Sequence, residues 1–202
     1  MRRQLVALTF FLVSVVAAGS ARAQDVINLG VRYGLGLSVY NRLADSALAP
    51  SYAHIDASYL FLEVGPLRMG PGLAYRLGFG TRDVRQRDQE TGVNETVEAL
   101  DVQHSLMPAW VVYGRPNVHF SWSAYGGFSF VLSQPDVSGT VDDESGDTYF
   151  VWGLEVGGTA SYFITAGFAV TLGAQYDFFY GIDPVHVISF DLGLLFSFEV
   201  MR

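Results

Sequence analysis

Three observations predict an all-β chain, an eight-stranded antiparallel up-and-down transmembrane β-barrel. The first is a period of two. From Ile27 to Val39, every second residue (Ile27, Leu29, Val31, Tyr33, Leu35, Leu37, Val39) is large and apolar, and those between are small, polar or charged. Such alternation makes a strand with one apolar face. The run is thirteen residues long, more than the ~5–6 of an ordinary globular strand and enough for the ~9–11 tilted residues that cross a bilayer. The second observation is recurrence, because the same pattern returns seven more times. The third is spacing: the polar gaps between these runs alternate between long and short, as long outer loops and short inner turns would.

The first strand is predicted from Val26 to Tyr40, followed by a polar gap from Asn41 to Ala53. A second strand ends near Glu63 at Gly65-Pro66, a dipeptide that marks a tight turn. The third alternates from Leu67 to Gly80, with Pro71 as a blemish because proline removes a ladder donor. A long polar gap, Thr81 to Glu98, leads to a fourth strand that ends near Tyr113, before the turn Gly114-Arg115-Pro116-Asn117. The fifth runs from Val118 to Leu132 and is followed by an acidic gap, Ser133 to Asp147. The sixth (Thr148 to Tyr162) and seventh (Ile164 to Tyr180) are predicted to meet at Phe163. A short gap at Ile182-Asp183-Pro184 precedes the eighth, His186 to Val200. Aromatic residues fall near both ends of these strands: Phe61, Trp110, Phe120, Trp122, Tyr162, Phe196 and Phe198 at one, and Phe79, Phe128, Phe130, Phe150, Trp152, Tyr176, Phe178 and Tyr180 at the other. Two such belts suit the two interfaces of a bilayer.

Residues 1–23 read as a secretory signal, with Arg2 and Arg3, an apolar stretch from Leu5 to Ala18, and the cleavage pattern Ala21-Arg22-Ala23. The mature barrel is then expected to span residues 24–202. There is no cysteine, so neither a disulfide nor a cysteine-borne lipid anchor is expected. The chain also has no lysine. Beyond residue 23, nine arginines face twenty acidic residues, a net charge of −11. That balance argues against a nucleic-acid partner, which would bind through basic patches.

A soluble carrier barrel would share the periodicity, but its apolar face would point inward and its other face would need to be soluble. Here the other face is largely Gly, Ser and Ala with isolated charges, which suits a narrow lumen. Parity places a structural polar network in that lumen: Arg32, Asp56, Arg68, Arg76, Asp101, Glu155, Asp177 and Asp191, with Glu199 on the same parity. Because the barrel must close first strand to last, Arg32 is expected to pair with Asp56, Asp191, Glu155 or Asp177. Leu60, Leu62, Val131 and Val151 are read as apolar lumen residues. An eight-stranded interior is just wide enough for side chains to fill, so a plug is favoured over a pathway.

With its signal, eight dyad strands, belts and loop order, the chain resembles the small bacterial outer-membrane barrels of the OmpA/OmpX/OmpW type. The resemblance covers the whole mature chain and is architectural. Those proteins usually end on an aromatic residue, whereas this chain ends Phe198-Glu199-Val200-Met201-Arg202. The resemblance implies an integral protein of the bacterial outer membrane, with outer-membrane lipid as its surroundings and other envelope or surface proteins as candidate partners. The expected role is structural or interactive: presenting surface loops, or anchoring an envelope, adhesion or surface-motility complex. A narrow porin-like route for small apolar molecules is the alternative, and a lipid-modifying enzyme a third.

No catalytic, metal or cofactor residue is assigned. His119 and Ser121 form a His-x-Ser pair, and His54 and Asp56 share a face near the outer rim, but both read as polar lining. The acidic run Asp142 to Asp147 lacks ordered calcium-loop spacing. His104 falls on the lipid-facing parity unless Pro108 bulges the strand, and receives no role.

Overall fold

A computed structural model describes residues 25–39, 51–87, 94–136, 149–180 and 185–200. The expected signal segment, the acidic run at 142–147 and the last two residues lie outside them. The described residues form strands β1 (Asp25–Val39), β2 (Ser51–Leu60), β3 (Leu62–Val64), β4 (Leu67–Arg87), β5 (Asn94–Gly114), β6 (Phe120–Asp136), β7 (Tyr149–Phe163), β8 (Phe168–Tyr180) and β9 (Val185–Val200). All pairings are antiparallel. The sheet runs β2-β1-β9-β8-β7-β6-β5-β4-β3 and closes through β2–β4. Because β2 and β3 are two halves of one stave, the barrel has eight staves. Chain closure pairs β1 with β9 along its whole length, from Asp25↔Val200 to Val39↔His186.

The apolar parity faces outward. Tyr33, Leu35, Leu37, Leu172, Phe190 and Leu192 are each more than half exposed, whereas Arg32, His54, Glu155, Asp177 and Asp191 are buried inside. This inverts a soluble barrel and leaves hydrocarbon as the medium that satisfies the outer face. The belts form ring contacts. Phe61 meets Trp110 edge-on at one end, while Trp152 stacks on Tyr180 at 4.6 Å and Phe130 on Phe150 at 6.3 Å at the other.

The strands depart from their sequence-predicted bounds in ways that have physical causes. The gap expected from Thr81 to Glu98 is largely ladder, since β4 and β5 stay paired out to Arg87↔Asn94. Polar residues can pair as a solvated ribbon; the hydrophobic alternation reports the bilayer, while the hydrogen-bond ladder can continue beyond it. For the same reason β2 begins at Ser51, taking in the last three residues of its predicted loop, and β6 runs on to Asp136. Ile164, predicted to open the seventh strand, lies in a turn, where its N–H donates to the Phe168 carbonyl at 2.9 Å.

The stave β2–β3 is bulged. Ser58 pairs Gly72 and Leu62 pairs Met69, so three residues on one side span what Gly70 and Pro71 span on the other. The missing proline donor falls where the ladder is already broken. The bulge also resets parity: Leu62 shares the outward face of Met69, which corrects its lumenal reading, whereas Leu60 is buried inside. At Pro108 the β5–β6 pairing lapses for two residues against two, with no residue inserted. Parity is therefore kept, and His104 stays outward. The β3–β4 hairpin turns through Gly65, whose φ of +60° places glycine at the first central position of a tight turn, with Pro66 following.

Candidate functional site

The lumen is the site, and it fills from both ends toward the middle. At the inner mouth, where the short turns lie, the Arg115 guanidinium lies 4.0 Å over the Phe163 ring. Its Nη2 donates to the carbonyls of Val118 (3.0 Å) and Ala166 (3.4 Å), tying two inner turns together. Above it, Val26, Leu60 and Tyr113 form an apolar cluster. At the outer end Val131, Phe179 and Val187 form a second, with Val151 against it. An apolar cap therefore stands at each end of a polar interior.

Arg32 organises the interior. Its Nε donates to Asp56 Oδ2 at 3.0 Å, and its Nη1 lies 3.3 Å from both carboxylate oxygens of Asp191. Its Nη2 is 3.3 Å from His54 Nε2. Tyr52 Oη donates to Asp191 Oδ2 at 3.4 Å, and the Arg76 guanidinium lies 4.6 Å over the Tyr52 ring. Arg76 Nη1 donates to Asp177 Oδ2 at 3.1 Å. Gln175 Nε2 then donates to Asp177 Oδ1 (2.6 Å) and Glu155 Oε2 (3.2 Å), and its own Oε1 accepts from Tyr125 Oη. The contacts form one connected septum across the barrel. Planar guanidinium groups suit it because one arginine can serve several carboxylate oxygens.

Room for these side chains comes from glycine on the paired strand. Asp56 is directly opposite Gly30, Tyr52 opposite Gly34, Tyr125 opposite Gly157, Asp191 opposite Gly173 and Arg32 opposite Gly193. A Cβ at Gly157 would stand 2.5 Å from the Tyr125 hydroxyl, one at Gly34 the same distance from that of Tyr52, and ones at Gly30 and Gly173 would strike the Asp56 and Asp191 carboxylates. The signal available in the sequence was the abundance of inward-parity glycines. What it lacked was the strand register that matches each to a large neighbour.

The remaining predicted lumen residues are spread along the barrel. Arg68 sits near the inner end, opposite Glu63 and Tyr113 and away from the septum. Asp101 is placed by its backbone alone, between Gly80 and Pro135 above the outer cap. Glu199 is on the inner rim, 3.9 Å from Arg115. His54, expected near the outer rim, belongs to the septum, because β2 extends further outward than predicted. His119 lies in an exposed turn and stacks on Tyr162 at 6.0 Å, while Ser121 is buried in the lumen. Sequence parity did not single out Phe179, Val187, Val26 and Tyr113, which build the caps.

Two cavities flank the septum. One, of about 60 Å³, is lined by Asn28, His54, Tyr113 and Ser121, each with a buried polar atom lacking a protein partner. The other, of about 20 Å³, lies beside Arg76 and Ser189, whose free polar atoms border it. A buried water needs ~10–15 Å³ and a few polar partners. The larger cavity fits a few waters, the smaller about one, and neither spans the barrel.

Closed staves, an outward apolar band with two belts, and a polar lumen define the small eight-stranded barrel of outer-membrane type. No family model and no curated protein matches the chain. Among solved structures, the chain resembles Ail, the attachment invasion locus protein of Yersinia pestis, crystallised with the heparin analogue sucrose octasulfate. The identity is 14%, covering 88% of this chain and all of that one, with a TM-score of 0.53. Neisserial surface protein A is similar at 12% identity, covering 89% of this chain and all of that one, with a TM-score of 0.54. A major outer-membrane protein of Thermus thermophilus is similar at 12% identity, over 85% of this chain and 99% of that one, with a TM-score of 0.50. What they share with this chain is the fold.

Proposed function

We propose that this chain is an integral outer-membrane protein whose work is interaction: a sealed barrel that holds a β-ribbon above the membrane for an envelope or surface partner. The ribbon is the observation that carries the reading. Beyond Phe79, where pairing with β2 stops, β4 continues to Arg87, paired only with β5 among the described residues. The facing segment of β5, Asn94 to Ala99, has no described partner on its β6 side. A strand edge left unpaired is a template for an added strand. Residues 81–98 hold three arginines against five acids. A sulfated partner like the one crystallised with Ail therefore has little to bind here, and a protein strand suits the edges better.

The transport alternative would need a passage past two apolar caps and the Arg32 septum, and Leu60, Val131 and Val151 are spent on the caps. A photo-crosslinking residue at Val84 or Val97, incorporated in intact cells, is expected to give a discrete adduct. The same residue at Leu192, on the lipid face, serves as the control. Adducts from Leu192 alone, or from none of the positions, would remove the ribbon from the account.

A further inference from the structure

Two tyrosine–histidine pairs on the outward face repeat one geometry. Tyr75 Oη lies 2.6 Å from His104 Nδ1, and Tyr176 Oη lies 2.6 Å from His186 Nδ1. In each pair the tyrosine is on a strand rising from the periplasm. The histidine lies diagonally across on the next strand, two residues nearer the outer end, since Leu77 faces His104 and Phe178 faces His186. Ring centroids are 6.2 and 5.9 Å apart, with nearly equal tilts of 35° and 36°. Both pairs stand at the outer belt: His104 is level with Leu132 and, through it, with Phe150, while His186 packs 5.0 Å from Phe178. In the closed strand order β4–β5 and β8–β9 lie on opposite sides of the barrel.

An imidazole on a lipid-facing surface has two polar nitrogens to satisfy. The phenol occupies Nδ1; where its O–H is the donor, the ring carries its own proton on Nε2, which points away from the tyrosine. Both rings are half-buried on the outward face, with no protein partner at Nε2 among the described residues. Amphipathic rings settle at the headgroup level of a bilayer, which would set outer-leaflet headgroups against this belt. We infer that His104 and His186 are paired headgroup sockets, each donating Nε2–H to an oxygen of an outer-leaflet lipid, with Tyr75 and Tyr176 fixing the ring. Two sockets on opposite sides would hold the barrel at one height and resist tilting. Phosphate and carbohydrate hydroxyl both present the required acceptor.

The test uses the full barrel with ¹⁵N-histidine in nanodiscs, read by solid-state NMR. In phosphatidylglycerol discs, contact between Nε2 and lipid ³¹P is expected at His104 and His186 and not at buried His54. In phosphate-free galactolipid discs, a strongly hydrogen-bonded Nε2–H at both rings would assign the site to sugar hydroxyls. His104→Phe with His186→Phe keeps the ring area, and is expected to abolish lipid co-purification with the barrel while heat-modifiable folding is retained. Absence of both contacts, rings protonated only on Nδ1, or undiminished lipid retention in the double variant would each overturn the assignment.

Discussion

At the scale of single residues, the lumen is a problem in pairing charge under confinement. Arg32 has both Asp56 and Asp191 within 3.3 Å, and its side chain is almost wholly shielded from solvent. Removing one partner of such a buried pair leaves the other charge uncompensated. Arg32→Ala should therefore cost about 3–5 kcal/mol, measured by urea unfolding in lipid vesicles. Arg32→Lys should recover only part of this, because an ammonium cannot reproduce the forked contact. The glycines opposite the large side chains make a second prediction. Gly173→Val would drive a side chain into the Asp191 carboxylate and should cost about 1–3 kcal/mol. Gly65→Ala, by contrast, meets open space, and its cost should reflect only the positive φ of the turn. Parity alone placed Arg32, Asp56 and Asp191 on one face of the sequence. The partners within that face depend on register, which a period of two does not encode.

At the scale of strands, the sequence was most legible where the bilayer imposes its rule and least where water does. Within the membrane the outward positions are mostly apolar, so alternation located the staves. Above it no such rule holds, and the β4–β5 ribbon looked like loop. The bulge at Phe61 was hidden for a different reason: one inserted residue changes parity for three positions only, too few to show as a pattern. The outward face gives a direct test of the assignment. Leu192→Arg should cost about 2–4 kcal/mol near the midplane. A spin label at Leu192 should respond to a lipid-soluble relaxation agent, whereas one at Ser123, whose hydroxyl is 2.7 Å from that of Thr159 inside the barrel, should not. Excising 83–97 and joining the ribbon by a short turn should leave the heat-modifiable fold intact, since no described contact of the septum or caps depends on it.

At the scale of the molecule, the two caps, the septum and the glycine-fitted walls describe a barrel packed shut. Phe179 and Val131 close the outer end, Leu60 and Tyr113 the inner, and the cavities between them total only a few waters. On the proposed reading, a sealed barrel would leave its surfaces to act: the ribbon above the membrane, and the lipid-facing belt around it. The sealing is also the claim most open to direct measurement. Single-channel recording of the purified barrel in a planar bilayer should show no discrete openings at moderate voltage, while Arg32→Ala combined with Phe179→Ala, which removes the septum and one cap, should conduct. Stepwise current through the unmodified protein would contradict the account and return the lumen to transport.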